Sequence, residues 1–205
     1  MKKLLLIAAV AVFGLTTVNA QDENTTGGFA KGDVYATGTV GYTNAKFGDI
    51  KTDNFTFSPA VGFFISEYIA LEGTVILGFG ESSIDLEGET FSVDNSTFGG
   101  GVGATYFFTP AKQFSFTVGA GVAYTNTKTE VDVEDSAELS TDTFGFVVAP
   151  GLNYFVSNCI ALRASVGAIS YTSSKLDVDG AESLNTFNIG LNLSDVNFGV
   201  TYKFN

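Results

Sequence analysis

Eight segments of the chain alternate apolar and polar residues with a period of two, which predicts β-strands. We place them at residues 33–44, 54–65, 69–80, 96–108, 114–125, 142–155, 160–171 and 185–204. Because neighbouring side chains of a strand point to opposite sides, each segment has two faces. From the second segment onward, one face is apolar and carries no charge, whereas the other is mainly Gly, Ser, Thr, Ala and Asn.

The uncharged face decides between a soluble barrel and a membrane barrel. The interior of an eight-stranded barrel is just wide enough for side chains to fill, so it cannot hold this many large apolar residues. The apolar face must therefore point outward, where only lipid covers it. We predict an all-β fold for residues 33–205, a closed eight-stranded antiparallel transmembrane β-barrel.

The connections between the segments also alternate. Three are short, at 66–68, 109–113 and 157–159, and four are mostly longer and polar, at 46–53, 81–95, 126–141 and 172–184. Short turns at one end and long loops at the other are typical of up-and-down membrane barrels. The pattern predicts that both termini lie at the short-turn end, on the periplasmic side, with the last strand paired to the first.

The first residues have the pattern of a secretory signal peptide. Met1-Lys2-Lys3 is positive, residues 4–15 are largely apolar, and Val18-Asn19-Ala20 has the small residues that a signal peptidase accepts. A membrane anchor is the alternative, but the apolar run is too short to span a bilayer comfortably. We expect a signal peptide over 1–20, then a short polar leader over 21–32 with no sequence signal of a core.

Composition argues against several functions. The chain has a net charge of −12, which disfavours nucleic acid as a partner. It has no histidine, so a Ser-His or Cys-His nucleophile pair is impossible. Cys159 is the only cysteine, with no basic neighbour in sequence and no partner for an internal disulfide. We expect no enzymatic activity, no catalytic residue, no cofactor and no dedicated metal site.

The polar face carries few charges, namely Glu72, Arg163 and Lys203. Residues 59–72 parallel residues 150–163 with an offset of 91, which sets Glu72 and Arg163 at one depth on opposite strands. We predict that these two residues form an interior ion pair, with Gly62 and Asn153 as their cross-strand neighbours. Three inward phenylalanines precede the short turns and are expected to fill that end of the lumen: Phe64, Phe107 and Phe155.

Three irregularities are expected in the strands. Proline removes a hydrogen bond from a β-ladder, so Pro59 and Pro150 should mark bulges. Apolar positions are odd-numbered up to Leu193 and even-numbered from Val196. A bulge of one extra residue at Ser194-Asp195 would restore the register.

Several motifs resemble those of the outer membrane beta-barrel protein family, in particular the small OmpX-like group often labelled porin family. They are the signal peptide, a repeated Pro-x-x-x-aromatic-Phe-Ile/Val-Ser turn motif at 59–66 and 150–157, Leu-Asn-Leu-Ser at 191–194 and Gly-Val-Thr-Tyr-Lys-Phe at 199–204. The resemblance implies a monomeric protein in the outer membrane of a Gram-negative bacterium. It also implies that the terminal residues Val200, Tyr202 and Phe204 are the signal for the barrel assembly machinery, although Asn205 follows the last aromatic.

Two classes of function remain open. One is a structural or surface-interaction barrel, for adhesion or envelope integrity, in which the acidic loops 81–95 and 126–141 meet a surface partner. The other is a narrow passive channel for small solutes or ions. Calcium could bridge the loop carboxylates, and Asp177-Val178-Asp179-Gly180 resembles part of a calcium loop, but a solvated acidic face is the simpler interpretation.

Overall fold

A computed structural model describes residues 27–47, 50–86, 89–131, 137–178, 180–190 and 196–204. The predicted signal peptide lies outside the described residues. Those residues form ten strands: β1 (Val34–Phe47), β2 (Ile50–Phe64), β3 (Ile69–Leu86), β4 (Glu89–Phe107), β5 (Phe114–Val131), β6 (Ala137–Phe155), β7 (Ile160–Val166), β8 (Ile169–Leu176), β9 (Leu184–Ile189) and β10 (Val196–Phe204).

Eight of the strands form a closed ring. Each pairs antiparallel with two neighbours in the order β1, β2, β3, β4, β5, β6, β7, β10, and β10 pairs back with β1 from Val34↔Phe204 to Val40↔Phe198. The predicted closure of the last strand onto the first is confirmed. Strands β8 and β9 follow β7 and precede β10 in sequence, and β8 pairs with β6 as well as with β9.

The two faces of the ring differ as the alternation predicts. Outward apolar side chains such as Val102 and Phe116 are exposed, whereas Phe64, Phe107 and Phe155 lie fully buried inside. The uncharged face is therefore the outer surface of the ring. None of the described residues lies in a helix that is long and apolar enough to cross a membrane.

Most strands extend well past the predicted ends. Strand β3 continues to Leu86, β4 starts at Glu89, and β5 continues to Val131, so the loops predicted at 81–95 and 126–141 are largely paired strand. Those loop boundaries are wrong because the apolar pattern stops where the membrane ends, whereas backbone pairing continues into water. Cross-strand hydroxyl contacts such as Thr97 to Thr127, at 2.9 Å, accompany this continuation. The three short turns lie where predicted.

The two interior prolines do not mark bulges in their own strands. Strand β2 keeps one register with β3 on both sides of Pro59, from Phe57↔Leu77 to Ala60↔Thr74. The predicted bulge there is wrong, because the proline interrupts the pairing locally without adding a residue.

At Pro150 the extra residue belongs to the neighbouring strand. Val148 pairs with Ile169 and Gly151 pairs with Ser165, so two residues of β6 lie opposite three that separate the paired parts of β7 and β8. The bulge predicted at Pro150 is therefore wrong in its strand. Since proline has no N–H for the ladder, the irregularity lies opposite it. Because of this extra residue, the outward side chains are even-numbered in β7 and odd-numbered in β8.

The bulge predicted at Ser194-Asp195 lies outside the described residues. The flanking pairs are Ile189↔Ile169 and Val196↔Val166. The chain from Ile189 to Val196 is four residues longer than the chain from Val166 to Ile169, as the numbering of these pairs shows.

Candidate functional site

The leader over 21–32 has no core signal in its sequence, yet it contributes a core residue. Phe29 is only 2% exposed and packs inside the short-turn end of the ring. Its ring centroid lies 4.7–5.5 Å from the centroids of four other aromatics, Tyr35, Phe64, Phe107 and Phe155. We call these five residues the aromatic plug. The signal that could have revealed it is weak, since Phe29 is the one large apolar residue between Gln21 and Asp33.

Hydrogen bonds hold this segment in place. The Phe29 N–H donates to the Pro110 carbonyl at 2.8 Å, and the Gly32 N–H donates to the Phe64 carbonyl at 2.9 Å. The Lys203 ammonium donates to the Gly28 carbonyl at 2.8 Å. A Cβ at Gly28 would lie 2.7 Å from a backbone carbon of Ala111, so only glycine fits there. The segment is therefore a fitted part of the barrel.

The structure brings Glu72 and Arg163 together across the lumen. Arg163 Nη1 lies 2.5 Å from Glu72 Oε1, and the two side chains are 16% and 20% exposed. Tyr35 donates its hydroxyl to Glu72 Oε1 at 2.7 Å, and Thr105 donates to Oε2 at 2.8 Å. The Arg163 guanidinium also lies 5.1 Å and 5.2 Å from the ring centroids of Tyr35 and Phe107, within the range of cation–π attraction.

The cross-strand neighbours of the pair are those predicted from the repeat. Gly62 pairs with Glu72, and Asn153 pairs with Arg163. A Cβ at Gly62 would overlap the ring of Tyr35. The absence of a side chain at Gly62 therefore allows the Tyr35 ring to reach the Glu72 carboxylate.

A cavity of about 490 Å³ adjoins the ion pair on the side of the longer connections. Glu72 and Arg163 line one end of it, and small or hydroxyl-bearing residues line its walls, among them Thr37, Ser58, Thr74, Thr117 and Thr172. This lining offers hydrogen-bonding groups but no nucleophile–base pair. The arrangement is that of a vestibule that ends at the ion pair, with the aromatic plug at the short-turn end.

The terminal residues form part of the outer face. Val200 and Phe204 are exposed, and Tyr202 packs edge-on against Phe204 with ring centroids 5.2 Å apart. All three lie on β10, the strand that closes the ring against β1.

Acidic residues that were predicted to lie in loops form a row on the outer face. Asp53, Glu81, Asp94, Glu130 and Glu138 occupy directly paired positions on consecutive strands from β2 to β6. Lys128 binds Glu138 at 2.6 Å, and this hydrogen bond raises the pKa of Lys128. Hydrogen bonds from Asn44 and then Tyr42 lower the pKa of Asp53.

The predicted loop tips are only partly described. Residues 87–88, 132–136 and Asp179, the third residue of the calcium-loop fragment, lie outside the described residues. Within the described part of the chain, no three acidic, cysteine or histidine side chains converge as ligands for a metal ion.

The sequence profile of the outer membrane protein beta-barrel domain family matches residues 8–204. The chain belongs to this family. Membership of the outer membrane protein beta-barrel domain family puts the ring in an outer membrane, with lipid against its uncharged face. The predicted family, fold class and outer-membrane localisation are confirmed. No curated protein matches the chain.

The structure is similar to those of solved outer-membrane barrels. OprG from Pseudomonas aeruginosa is 15% identical, with 86% of this chain and 98% of OprG covered and a TM-score of 0.53. A major outer membrane protein from Thermus thermophilus is 14% identical, with 84% and 98% covered and a TM-score of 0.49. Outer membrane protein W from E. coli is 16% identical, with 85% and 99% covered and a TM-score of 0.47. At 15% identity the likeness to OprG concerns the fold alone.

Proposed function

We propose that the protein is a non-enzymatic structural barrel that displays an acidic surface at the outer end, for adhesion or for envelope integrity. The observation that carries this proposal is the closure of the lumen. The aromatic plug fills the short-turn end, and the Glu72–Arg163 pair crosses the lumen above it. Because the plug and the ion pair both close the lumen, we expect the barrel to act through its exposed surfaces rather than as a pore.

The second candidate is a narrow passive channel, which the 490 Å³ cavity favours. For a solute to pass, both the ion pair and the plug would have to move. Phe29 alone touches four aromatic rings, and its segment is hydrogen-bonded to Pro110, Phe64 and Lys203. This fixed closure is the reason why we place the channel second.

Conductance separates the two candidates. The pure wild-type protein in a planar bilayer should give no discrete current steps, because the plug and the ion pair block the lumen. Phe29→Ser, which removes the ring at the centre of the plug, should produce steps. Phe116→Ser, a matched change on the lipid face, should stay silent. Wild-type steps as large as those of Phe29→Ser would overturn the structural role in favour of the channel.

The orientation is part of the proposal, with both termini and the three short turns on the periplasmic side. A protease that cuts after glutamate tests it on intact cells. It should cut within 126–141, which contains three glutamates, and spare the exposed Glu67 in the first short turn. Glu67 should be cut only after the outer membrane is permeabilised. Cleavage at Glu67 in intact cells would invert the orientation.

The closed ring also bears on assembly and on the oligomeric state. We propose that Val200, Tyr202 and Phe204 act as the terminal signal for the barrel assembly machinery, which their outward position on the closing strand supports. We also propose a monomer. The backbone ladder of the eight ring strands closes on itself, so membrane insertion does not require pairing with a second copy.

A further inference from the structure

A short sequence motif, Tyr-Thr-Asn/Ser-x-Lys, occurs three times in the chain. The copies are residues 42–46, 124–128 and 171–175. They lie on β1, β5 and β8, toward the end with the longer connections. Because side chains alternate along a strand, the tyrosine, the Asn or Ser, and the lysine of each copy share one face. That face is the outer one, since Tyr42, Tyr124 and Tyr171 are all exposed.

Each copy makes the same contacts with its neighbouring strand. The tyrosine pairs with a phenylalanine, in the pairs Tyr42↔Phe55, Tyr124↔Phe144 and Tyr171↔Phe187. The tyrosine hydroxyl then donates to the residue two positions before that phenylalanine in sequence, Asp53 at 2.8 Å, Asp142 at 2.6 Å and Asn185 at 3.0 Å. The three copies are therefore equivalent ladders on the outer face, and we call them the tyrosine–lysine ladders.

The lysines of this half of the barrel are all on the ladders or beside them. Lys46, Lys128 and Lys175 end the three copies, and Lys51 pairs directly with Lys46 across β1 and β2. Like charges in directly opposed positions of a sheet destabilise it unless an opposite charge lies between them. Among the described residues, Asp53 lies beside this pair on the same face, and its carboxylate accepts hydrogen bonds from Tyr42 and Asn44.

Only one of these lysines has an ion-pair partner among the described residues, Lys128 with Glu138. The pair Lys46–Lys51 presents two exposed ammonium groups on the outer side of the barrel, two positions past Asp53 toward the longer connections. Tyrosine and phenylalanine at such positions lie at the membrane–water interface. Four residues of strand cover about 13 Å, so each lysine reaches from the aromatic belt into the headgroup layer.

We propose that the tyrosine–lysine ladders dock phosphate groups of lipids in the outer leaflet, with Lys46 and Lys51 as the strongest site. An ammonium group binds phosphate as a point charge, and a phosphate between Lys46 and Lys51 removes their mutual repulsion. Lys128 binds Glu138 and Lys175 pairs directly with Asp142, so phosphate docks most strongly at Lys46 and Lys51. This site stands whether or not the proposed surface role is correct.

The test uses the full-length mature protein in nanodiscs of phosphatidylcholine, with and without a bisphosphorylated lipid A. Native mass spectrometry counts the lipid A molecules that the barrel retains. Lys46→Gln/Lys51→Gln should lower the affinity for lipid A by roughly tenfold or more. Lys31→Gln/Lys112→Gln removes the same charge from exposed positions at the short-turn end and should retain lipid A as the wild type does.

Two further arms decide the chemistry. Dephosphorylated lipid A should bind weakly and equally to the wild type and to both double variants. Millimolar inorganic phosphate should not displace the lipid, and displacement would assign a free-anion site instead. Equal retention of lipid A by the two double variants would overturn the proposal. Because all four substituted lysines are exposed, each variant should show the wild-type circular dichroism spectrum.

Discussion

Replacing Glu72 with arginine is expected to lower the free energy of unfolding by about 3–5 kcal/mol, the usual cost of breaking a buried ion pair. The substitution would place two guanidinium groups where Arg163 Nη1 now lies 2.5 Å from Glu72 Oε1. The hydroxyls of Tyr35 and Thr105 would lose their carboxylate acceptor as well. Arg163→Glu should cost a similar amount, because it leaves two carboxylates in the same closed space.

The swapped double variant Glu72→Arg/Arg163→Glu is the decisive measurement. Urea titrations in lipid vesicles should show that it recovers much of the loss, because opposite charges again face each other. Recovery should be incomplete, since Tyr35 and Thr105 would still face a cation. Glu67→Arg, in an exposed turn, serves as a control and should change nothing. Losses that simply add in the double variant would show that the two side chains do not interact.

Val118→Arg should destabilise the barrel by about 2–4 kcal/mol, the cost of a cation on the lipid face near mid-membrane. Val118 is 38% exposed on the outer surface of β5 and has only apolar or uncharged residues around it in the paired strands. An arginine there has no water and no carboxylate within reach.

Glu130→Arg is the matched control on the same strand and the same face. Glu130 pairs with Asp94 and with Glu138 beyond the membrane edge, so an arginine there meets opposite charges in water. It should leave the urea midpoint unchanged or slightly raised. If both substitutions cost the same, the assignment of the lipid-facing and hydrated parts of β5 is wrong.

The lipid face and the interior pair were both accessible from the sequence. A period of two fixes which residues share a face, and an uncharged face of this size fits only a membrane barrel. Glu72 follows the first short turn and Arg163 follows the third, at the same number of residues. Alternation and counting alone therefore put the two at one depth inside the ring. Local rules suffice here because β-strand geometry is regular between a turn and the membrane midplane.

Strand ends and irregularities could not be predicted from the sequence in the same way. Side chains report the environment of a strand, whereas backbone hydrogen bonds extend the ladder regardless of polarity. The pairing of β3 with β4 therefore continues to Leu86 and Glu89, where no apolar pattern predicts it. The extra residue between Val166 and Ile169 lies opposite a proline on the neighbouring strand. It can be predicted only when it is known which strands pair.

By itself, then, the sequence determined a membrane barrel of eight strands, its two faces and a charged pair in its lumen. The tertiary structure alone decided that Phe29 closes the barrel and that Lys46 faces Lys51. Phe29 meets Phe64, Phe107 and Phe155 only after the ring has closed. The two lysines oppose each other only in the register that β1 and β2 adopt. Both arrangements depend on contacts between separate segments, and no periodicity within one segment encodes them.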